Sequence, residues 1–317
     1  MTLEELGGAA IHTSNGTIDN VAVDELDCFR QIRSVLSYLP NSGTEIPPRM
    51  PCEDSVKRES PQLRSVIPRK RARMYDARKI IREVVDKDSF FEIGSSWGRT
   101  VIVGLARMGG SPIGIIANDP EVQAGALDAA SSQKAARHLK FLEVFNIPLV
   151  QLVDVPGYAV GLGAERAATM RWGVELAKAY YSGTIPVFSV ITRRAYGVAG
   201  GVMLDCRNPR MRVAWPSGEW GSLPLEGGID ASHAAELRSI EQSHGPEARK
   251  QRYAEMDQEY RRLMNPIRTA NAFGAEEIID PAKTRPLLCS WVAHVYDALL
   301  PHRIAERTAN KLTPVFT

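Results

Sequence analysis

The chain has 317 residues, of which 44% are hydrophobic, and its formal net charge is +2. This length is enough for one large or two modest domains with a sizeable core, and the near-balanced charge gives no long-range attraction to nucleic acid or to membranes. No run approaches about 18 apolar residues, and the start lacks the basic and apolar regions of a signal peptide. We therefore expect no membrane span and no secretion signal.

Four cysteines indicate a reducing compartment. Cys28, Cys52, Cys206 and Cys289 are widely spaced and form no C-x-x-C pair. We expect each to be either a small buried hydrophobic side chain or a spare thiol, and we expect no metal site. The cytoplasm is the expected location, with the mitochondrial matrix as the alternative if a transit peptide is missing from this sequence.

The first 75 residues combine a helix with a proline-rich segment. Apolar residues recur at helical spacing over residues 22–39, and Asp24 stands near the start, so we predict an amphipathic helix whose apolar face needs a partner. Prolines among polar residues over 40–68 predict a linker. The basic cluster over 69–73 is interpreted as a solvated linker edge in preference to a phosphate-binding or targeting element. The predicted domains are residues 1–75 and residues 76–317.

The next segment predicts a helix, a β-hairpin and a second helix. A helix from Asp76 leads to the sequence F-F-E-I, to strands over 101–108 and 112–118, and to a Gly-Gly turn between those strands. On the following amphipathic helix, Lys134 is interpreted as a surface lysine in preference to a catalytic base, and His138 as a satisfied helix residue. The sequence contains no G-x-S-x-G, H-E-x-x-H or P-loop pattern.

The central stretch predicts a strand, a helix, a strand and a small-residue loop. Apolar runs over 149–153 and 187–191 each follow Ile-Pro and predict buried strands, with a helix over 165–181 between them. Small residues over 196–201 precede a predicted helix from Val202. Backbone with only small side chains just before a helix offers free N–H groups and the positive end of the helix dipole, so this loop is a candidate oxyanion site. A tight turn without a ligand is the alternative.

The last part of the chain predicts helices. Residues 231–264 predict a charged helix pair that faces either a partner or solvent, and residues 287–309 predict a helix with a buried apolar stripe. A Rossmann-type sheet is the competing α/β architecture, but no G-x-G-x-x-G follows the first strand.

Several motifs together resemble one known family. The sequences L-V-D-V-P-G-Y at residues 152–158 and V-I-T-R-R-A-Y-G-V-A at residues 190–199 are similar to the two signature loops of the carboxyltransferase (β) subunit of biotin-dependent acyl-CoA carboxylases, the propionyl-CoA carboxylase β type. Other matching segments are E-E-L-G-G-A, F-F-E-I-G, V-G-L-A-R-M-G-G, residues 114–145, A-W-P-S and I-I-D-P-A-K-T-R. The resemblance covers nearly the whole chain, but only the C-terminal half of the family's usual length.

The resemblance implies a fold and a domain history. The expected fold is α/β and crotonase-like (ClpP/crotonase), a spiral of ββα units with flanking helices. Residues 1–75 would be a remnant of the N-terminal carboxyltransferase domain, and residues 76–317 would form the C-terminal acetyl-CoA carboxyltransferase-type domain.

The resemblance also implies a reaction, in which a carboxyl group moves from carboxybiotin to the α-carbon of an acyl-CoA. In the family, one backbone oxyanion hole in the N-terminal domain serves the enolate, and a second in the C-terminal domain serves biotin, which is itself the base once CO2 has left. Carried onto this chain, the catalytic peptides are Gly197, Val198 and Ala199, and the biotin-binding residues are Gly157, Tyr158, Tyr196, Gly200 and Gly201.

The implied cofactor is biotin carried on a partner protein, and the implied substrate is an acyl-CoA. The implied partners are a biotin carboxylase, a biotin carboxyl carrier protein or subunit, and an N-terminal carboxyltransferase half or second protomer in a homo-oligomer; no nucleic acid and no membrane is expected. Two alternatives stay open: a biotin-dependent acyl-CoA decarboxylase subunit, and a catalytically inactive carboxyltransferase-like scaffold.

The second loop departs from the family's A-Y-G-G-A-Y-D. Val198 replaces a glycine, Gly200 replaces a tyrosine, and Gly201 replaces an acidic residue that helps to shape the acyl pocket. After A-W-P-S, Trp220 and Leu225 are bulkier than the family's small residues. We therefore expect an acyl preference that is not simply propionyl.

Overall fold

The computed structural model describes residues 1–70, 73–204, 211–222, 225–271 and 274–309. The helices are α1 Leu3–Gly7, α2 Ala9–Ser14, α3 Glu25–Tyr38, α4 Ala77–Val84, α5 Ala129–Val144, α6 Leu162–Arg166, α7 Thr169–Ser182, α8 Gly197–Met203, α9 Leu225–Ser232, α10 Ala234–Leu263, α11 Pro266–Asn271, α12 Thr284–His294 and α13 Leu300–Ala309. The strands are β1 Phe91–Ile93, β2 Val101–Met108, β3 Ser111–Asn118, β4 Leu149–Val155, β5 Val187–Tyr196, β6 Arg212–Ala214, β7 Glu219–Gly221 and β8 Glu277–Ile278.

Aspartate caps explain where three of the helices begin. The carboxylate of Asp24 accepts a hydrogen bond from the backbone N–H of Asp27, three residues on, at the start of α3. Asp76 caps α4 and Asp128 caps α5 in the same way, through backbone N–H groups of their first turns. Each cap satisfies an N–H that has no acceptor within its helix.

The described strands form one mixed sheet. Its order is β1-β2-β3-β4-β5-β6-β8, and β7 also pairs with β5. The pairs β1–β2 and β2–β3 are antiparallel, whereas every pairing from β3 to β8 is parallel. The predicted hairpin and the two predicted central strands are therefore confirmed, and β5 continues beyond its predicted end to Tyr196.

Both faces of the sheet are covered. Side chains alternate along β2, so that Ile102 packs with α4 and α12 on one face, while Val101 and Val103 pack with α3, α5 and α7 on the other. Every residue of β2, β3 and β4 is buried. The result is a three-layer α/β/α core with the parallel strands at its centre.

The proline-rich segment (residues 40–68) packs against this core. Leu63 is buried in the same cluster as α4 and α12, and the N–H of Ser60 donates to the carbonyl of Ala282. The fully buried guanidinium of Arg285, on α12, contacts the carboxylates of Asp86 at 2.7 Å and Asp54 at 3.4 Å. The segment is thus fastened to the far end of the chain, and the division into domains at residue 75 stays a prediction.

Two predicted elements differ in their bounds. The predicted loop over 196–201 is wrong, because α8 begins directly at Gly197. Gly200 lies within this helix and packs closely on Ala195: a Cβ at Gly200 would lie 2.6 Å from the Ala195 carbonyl carbon. The single helix predicted over 165–181 is two helices, α6 and α7, separated at Ala168, whose φ is +56°.

Lys134 is not the surface lysine that its position on an amphipathic helix predicts. Its side chain is only 2% exposed, and its amine donates to the carbonyls of Gly94 at 3.0 Å and Trp97 at 2.8 Å. Burial lowers the pKa of this amine to about 8. The loop that follows β1 folds over the helix, which the sequence pattern does not reveal.

Other predictions concern thiols, metals and membranes. Cys28 and Cys52 are free and exposed and Cys289 is free and buried, whereas Cys206 lies outside the described residues. Within the described ranges, no helix is both long and apolar enough to cross a bilayer, and no group of three or more His, Cys, Asp or Glu side chains is arranged to hold a metal ion.

Substitution of Arg285 tests whether its guanidinium attaches the proline-rich segment to α12. We expect Arg285→Met to lower the free energy of unfolding by roughly 3–5 kcal/mol, because the buried carboxylate of Asp86 loses its cation, whereas Asp54 keeps Arg58. Urea denaturation at pH 7 measures this. Arg64→Met is the matched control, since the Arg64–Asp280 pair lies at the surface and should matter little. Equal losses in both variants would contradict the assignment.

Candidate active site

The two signature loops leave the sheet side by side. Strands β4 and β5 are parallel neighbours, and Val155 at the end of β4 pairs with Ala195 near the end of β5. The register shifts between Val153 and Val155, so an irregularity lies just before the first loop. Because parallel strands end at the same edge, residues 156–158 and 197–199 emerge next to each other.

The end of β5 turns directly into a helix. Gly197 has φ +59°, a left-handed conformation that glycine adopts freely, and Gly197, Val198 and Ala199 are the first residues of α8. The first N–H groups of a helix have no acceptor within it, and no side chain caps α8. A left-handed residue followed by right-handed ones makes a concave nest of N–H groups. Gly197 and Val198 are exposed, so this nest opens to solvent.

The facing loop is also built on backbone. Gly157 has φ +144°, and no atom lies within 4 Å of where a Cβ would be, so open space adjoins it. Its carbonyl accepts from the N–H of Leu127 at 3.0 Å, which ties the loop to the start of α5. Tyr158 lies over Gly173 of α7, where a Cβ would come within 2.6 Å of the ring. Burial raises the pKa of Tyr158, which keeps its hydroxyl protonated at neutral pH.

A cleft of about 680 Å³ continues from this loop. Residues 159–164 form one wall, and the first turns of α5, including Ala130 and Gln133, form the other. Val160 and Leu162 are largely exposed at its rim. The space between residues 159–164 and the start of α5 is therefore large enough to admit a ligand.

The remaining predicted site residues are placed differently. The Tyr196 side chain is 2% exposed and turns away from the cleft, donating its hydroxyl hydrogen to Glu219 at 2.8 Å among residues of α9 and α10. Gly200 is buried against Ala195, whereas Gly201 has open space where a side chain would be. The structure thus brings the peptides of 197–199 and the 157–158 loop to one edge, and their binding roles stay predictions.

Sequence reasoning missed a buried ion cluster beneath both loops. The carboxylate of Asp154 accepts from the side chains of Arg193, at 3.0 Å, and Arg194, at 2.6 Å. It also accepts from the backbone N–H of Arg194 at 3.1 Å, and it is 1% exposed. Asp154 belongs to the first signature loop and both arginines to the second, so the opposite charges in two adjacent motifs were the available signal.

The cluster extends to neighbouring segments. Tyr75 donates its hydroxyl hydrogen to Asp154 at 2.9 Å, and its ring lies under the Arg193 guanidinium, 4.9 Å away. Arg194 also donates to the carbonyl of Ala124 at 2.8 Å. Burial raises the pKa of Asp154, but the two guanidinium groups outweigh it and hold that pKa below its usual range. Asp154 is therefore a carboxylate that fixes loops, not a proton carrier.

The arrangement can stabilise negative charge on an oxygen. Fixed N–H donors at a sheet edge do this without reorganising when charge develops. Biotin fits this donor set, because its ureido oxygen is an acceptor and the start of α8 presents N–H groups without a side-chain cap. Among the described residues around the loops, the arginines of the ion cluster are engaged with Asp154.

Known proteins resemble the chain over nearly its whole length. Residues 1–305 match the model of the carboxyl transferase domain family. The chain is 36% identical over 288 residues to the propionyl-CoA carboxylase carboxyltransferase subunit of Haloferax mediterranei, which covers 90% of this chain and 55% of that protein. It is 36% identical over 327 residues to the biotin-dependent acetyl-/propionyl-coenzyme A carboxylase beta5 subunit of Mycobacterium tuberculosis, covering 99% and 57%.

A solved structure also resembles the chain over nearly its whole length. Transcarboxylase 12S, a hexamer determined with methylmalonyl-CoA and methylmalonic acid bound, matches with a TM-score of 0.84 at 33% identity, covering 93% of this chain and 56% of that one. The predicted crotonase-like α/β fold is confirmed by this likeness. The chain spans just over half the length of these relatives.

Neutralising Asp154 tests the ion cluster. We expect Asp154→Asn to lower the free energy of unfolding by roughly 3–5 kcal/mol at pH 7, because the buried Arg193 and the partly buried Arg194 lose their anion. The folded-state pKa of Asp154 is depressed, so its contribution is present above the unfolded pKa of about 3.9 and is lost as the pH falls through the lower folded value. The variant should therefore show a flatter loss of stability below pH 4.

Amide hydrogen exchange gives a second readout of the same variant. Exchange in residues 194–199 should accelerate, because the loops lose their common anchor. Asp297→Asn is the matched control, since the Arg49–Asp297 pair is exposed. Unchanged exchange at 194–199 in Asp154→Asn would show that the cluster does not hold the loops.

Proposed function

Because the chain belongs to the carboxyl transferase domain family, we propose that it is the carboxyltransferase component of a biotin-dependent acyl-CoA carboxylase. The proposed reaction moves the carboxyl group of carboxybiotin to the α-carbon of an acyl-CoA. The chain spans 55% of the Haloferax relative and 57% of the mycobacterial one, so a further carboxyltransferase half is part of the proposal.

The observation that carries this proposal is the pair of loop ends at β4 and β5. The peptides of Gly197, Val198 and Ala199 begin α8 beside the open space at Gly157. Negative charge on a ligand oxygen is stabilised best by preorganised donors of this kind. The reaction needs such donors more than it needs an ionisable side chain.

Each part of the site has a proposed role. The N–H groups of residues 197–199 hold the ureido oxygen of biotin, and Gly157 and Tyr158 form the opposite wall. Asp154, Arg193 and Arg194 keep both loops in register from beneath. Biotin, when bound, supplies the carboxyl group and then accepts the substrate's α-proton. The thioester oxygen would be held by the other carboxyltransferase half.

Val198 supports the further proposal of an altered acyl preference. Its side chain is 68% exposed at the mouth of the nest, so it adds apolar bulk where the family commonly has glycine. Trp220, on β7, pairs in register with Ala195 of β5, which brings another bulky residue near the same strand end. The side chain of Leu225 lies outside the described residues.

The reaction can be tested directly. We expect biotin-dependent CO2 release from malonyl-CoA or methylmalonyl-CoA when the chain is combined with an N-terminal carboxyltransferase half, and little release by the chain alone. A decarboxylase subunit would release CO2 in a complex with a membrane partner instead. Absence of biotin-dependent release in every combination would favour an inactive scaffold. Faster turnover of propionyl-CoA than of other acyl-CoAs would reject the altered preference.

Deleting one backbone donor tests the site within that assay. Val198→Pro removes the N–H of residue 198, and proline is tolerated in the first turn of a helix. We expect kcat to fall by about 10²–10³-fold, the usual cost of one oxyanion donor. Val198→Ala keeps the N–H and should retain activity. Circular dichroism checks that both variants are folded. Equal activity of the two variants would remove residue 198 from the site.

We also propose biotin carboxylase and a biotin carrier as partners, assembly with further protomers, and a cytoplasmic or mitochondrial-matrix location. Fractionation of source cells, followed by gel filtration of the native complex, would test both the compartment and the assembly.

A further inference from the structure

A polar residue interrupts the apolar run at the centre of β4. Gln151 lies between Val150 and Leu152, and its side chain is fully buried. A buried amide costs free energy unless its N–H and C=O groups are hydrogen-bonded. An apolar residue would fill the same place in a sheet at a lower cost, so the hydrogen-bond partners of Gln151 indicate what it does.

The amide of Gln151 joins elements from three directions. Its Nε2 donates to the Oγ of Ser189 at 3.0 Å and to the backbone carbonyl of Met203 at 3.1 Å. Ser189 is its register partner on β5, and Met203 is the last residue of α8. The Oε1 of Gln151 accepts from the hydroxyl of Tyr180, a buried residue of α7. One side chain thus connects β4 with β5, α7 and α8.

Helix α8 depends on contacts from outside itself. Three of its seven residues are glycines, and glycine is a poor helix former. A helix this short is not stable by its own hydrogen bonds. The carbonyls of its last turn have no N–H partner within the helix, and Gln151 supplies one to Met203. Ala199 and Met203, one turn apart, are both buried in the cluster that includes Leu176 of α7.

The same network reaches both sides of the candidate site. Tyr158, in the facing loop, lies over Gly173 of α7. Tyr180 follows two turns later on α7 and holds the Gln151 amide. Helix α7 therefore contacts one loop directly and contacts α8 through Gln151. Six residues separate Met203 from Gly197, which is about 9 Å along α8, so a tilt of α8 would move its N–H groups relative to Tyr158.

Strand β4 fixes α8 at both of its ends. Asp154 binds Arg193 and Arg194, which directly precede the start of α8. Gln151, three positions earlier on β4, binds the carbonyl at the end of α8. The helix is thus held at its first and its last turn by residues of one strand.

We propose that Gln151 is a positioning residue: by binding the Met203 carbonyl it fixes the axis of α8 and hence the direction of the N–H groups of residues 197–199. Tyr180 holds the Gln151 amide in the orientation that this contact needs. Gln151 acts through α8 and not on a substrate. The consequence for carboxyl transfer rests on the proposed function, whereas the fixing of α8 does not.

Amide hydrogen exchange tests the fixing of α8. Gln151→Met removes the amide at similar side-chain length, and Tyr180→Phe removes only the hydroxyl. We expect exchange in residues 197–203 to accelerate roughly tenfold in both variants, because α8 loses a contact that resists its local opening. Should Gln151→Met not fold, Tyr180→Phe decides alone. Unchanged exchange in the folded variants would overturn the proposal.

Tyr296→Phe is the matched control for general destabilisation. Its hydroxyl donates to the carbonyl of Pro112 at 2.6 Å, and Tyr296 is as buried as Tyr180 but packs in the cluster on the other face of the sheet. This variant loses a comparable hydrogen bond and should keep the exchange of residues 197–203 unchanged. Equal acceleration in Tyr296→Phe would show that Gln151 and Tyr180 have no specific role in holding α8.

Kinetics test the consequence for the reaction. In the CO2-release assay with an N-terminal carboxyltransferase half, we expect Gln151→Met to lower kcat by roughly ten- to a hundredfold, as a small misplacement of catalytic donors does. The KM for malonyl-CoA should stay unchanged, and Tyr296→Phe should keep its kcat. Unchanged kcat in Gln151→Met, or an equal loss in Tyr296→Phe, would contradict the positioning role. If the unsubstituted chain releases no CO2, the proposed reaction fails, and the exchange of residues 197–203 still decides whether Gln151 fixes α8.

Discussion

The buried carboxylate of Asp154 is the contact on which the edge of the sheet depends. It is shared between Arg193 and Arg194, and these three residues join the two strands that end at the candidate site. Charges taken out of water are tolerated only when they are paired and hydrogen-bonded, so the loops above the cluster have little freedom to shift. The strands therefore hold the backbone N–H donors of the loops in fixed positions, which do not depend on any side-chain rotamer.

Local patterns predicted much of the fold. The hairpin of β2 and β3, the central strands and the helix starts near Asp24 and Asp76 each follow from residues adjacent in sequence. The order of the strands in the sheet could not be predicted from adjacent residues. For example, β6 pairs with β8, some sixty residues later in the chain, through Val213 and Glu277. The resemblance, and not periodicity, supplied the crotonase-like architecture.

The sequence predicted which loops lie together at the sheet edge, but not the side chains that hold them. Residues 157–158 and 197–199 do meet at one edge, yet the sequence predicted a flexible loop where α8 begins at once. Lys134 has the spacing of a surface residue, and the loop after β1, about forty residues earlier in the chain, buries it. Likewise, the pairing of Asp154 with two arginines about forty positions away becomes evident only in three dimensions.

The fastening at Arg285 has a consequence for synthesis on the ribosome. Its partner Asp86 lies 199 positions earlier in the chain, and Arg64 meets Asp280 across 216. Contacts this distant in sequence form late, since the closing loop must first be made. The proline-rich segment and the β2–β3 hairpin leave the ribosome long before α12 does. The nascent protein therefore passes through a stage in which this side is uncovered and chaperones have access to it.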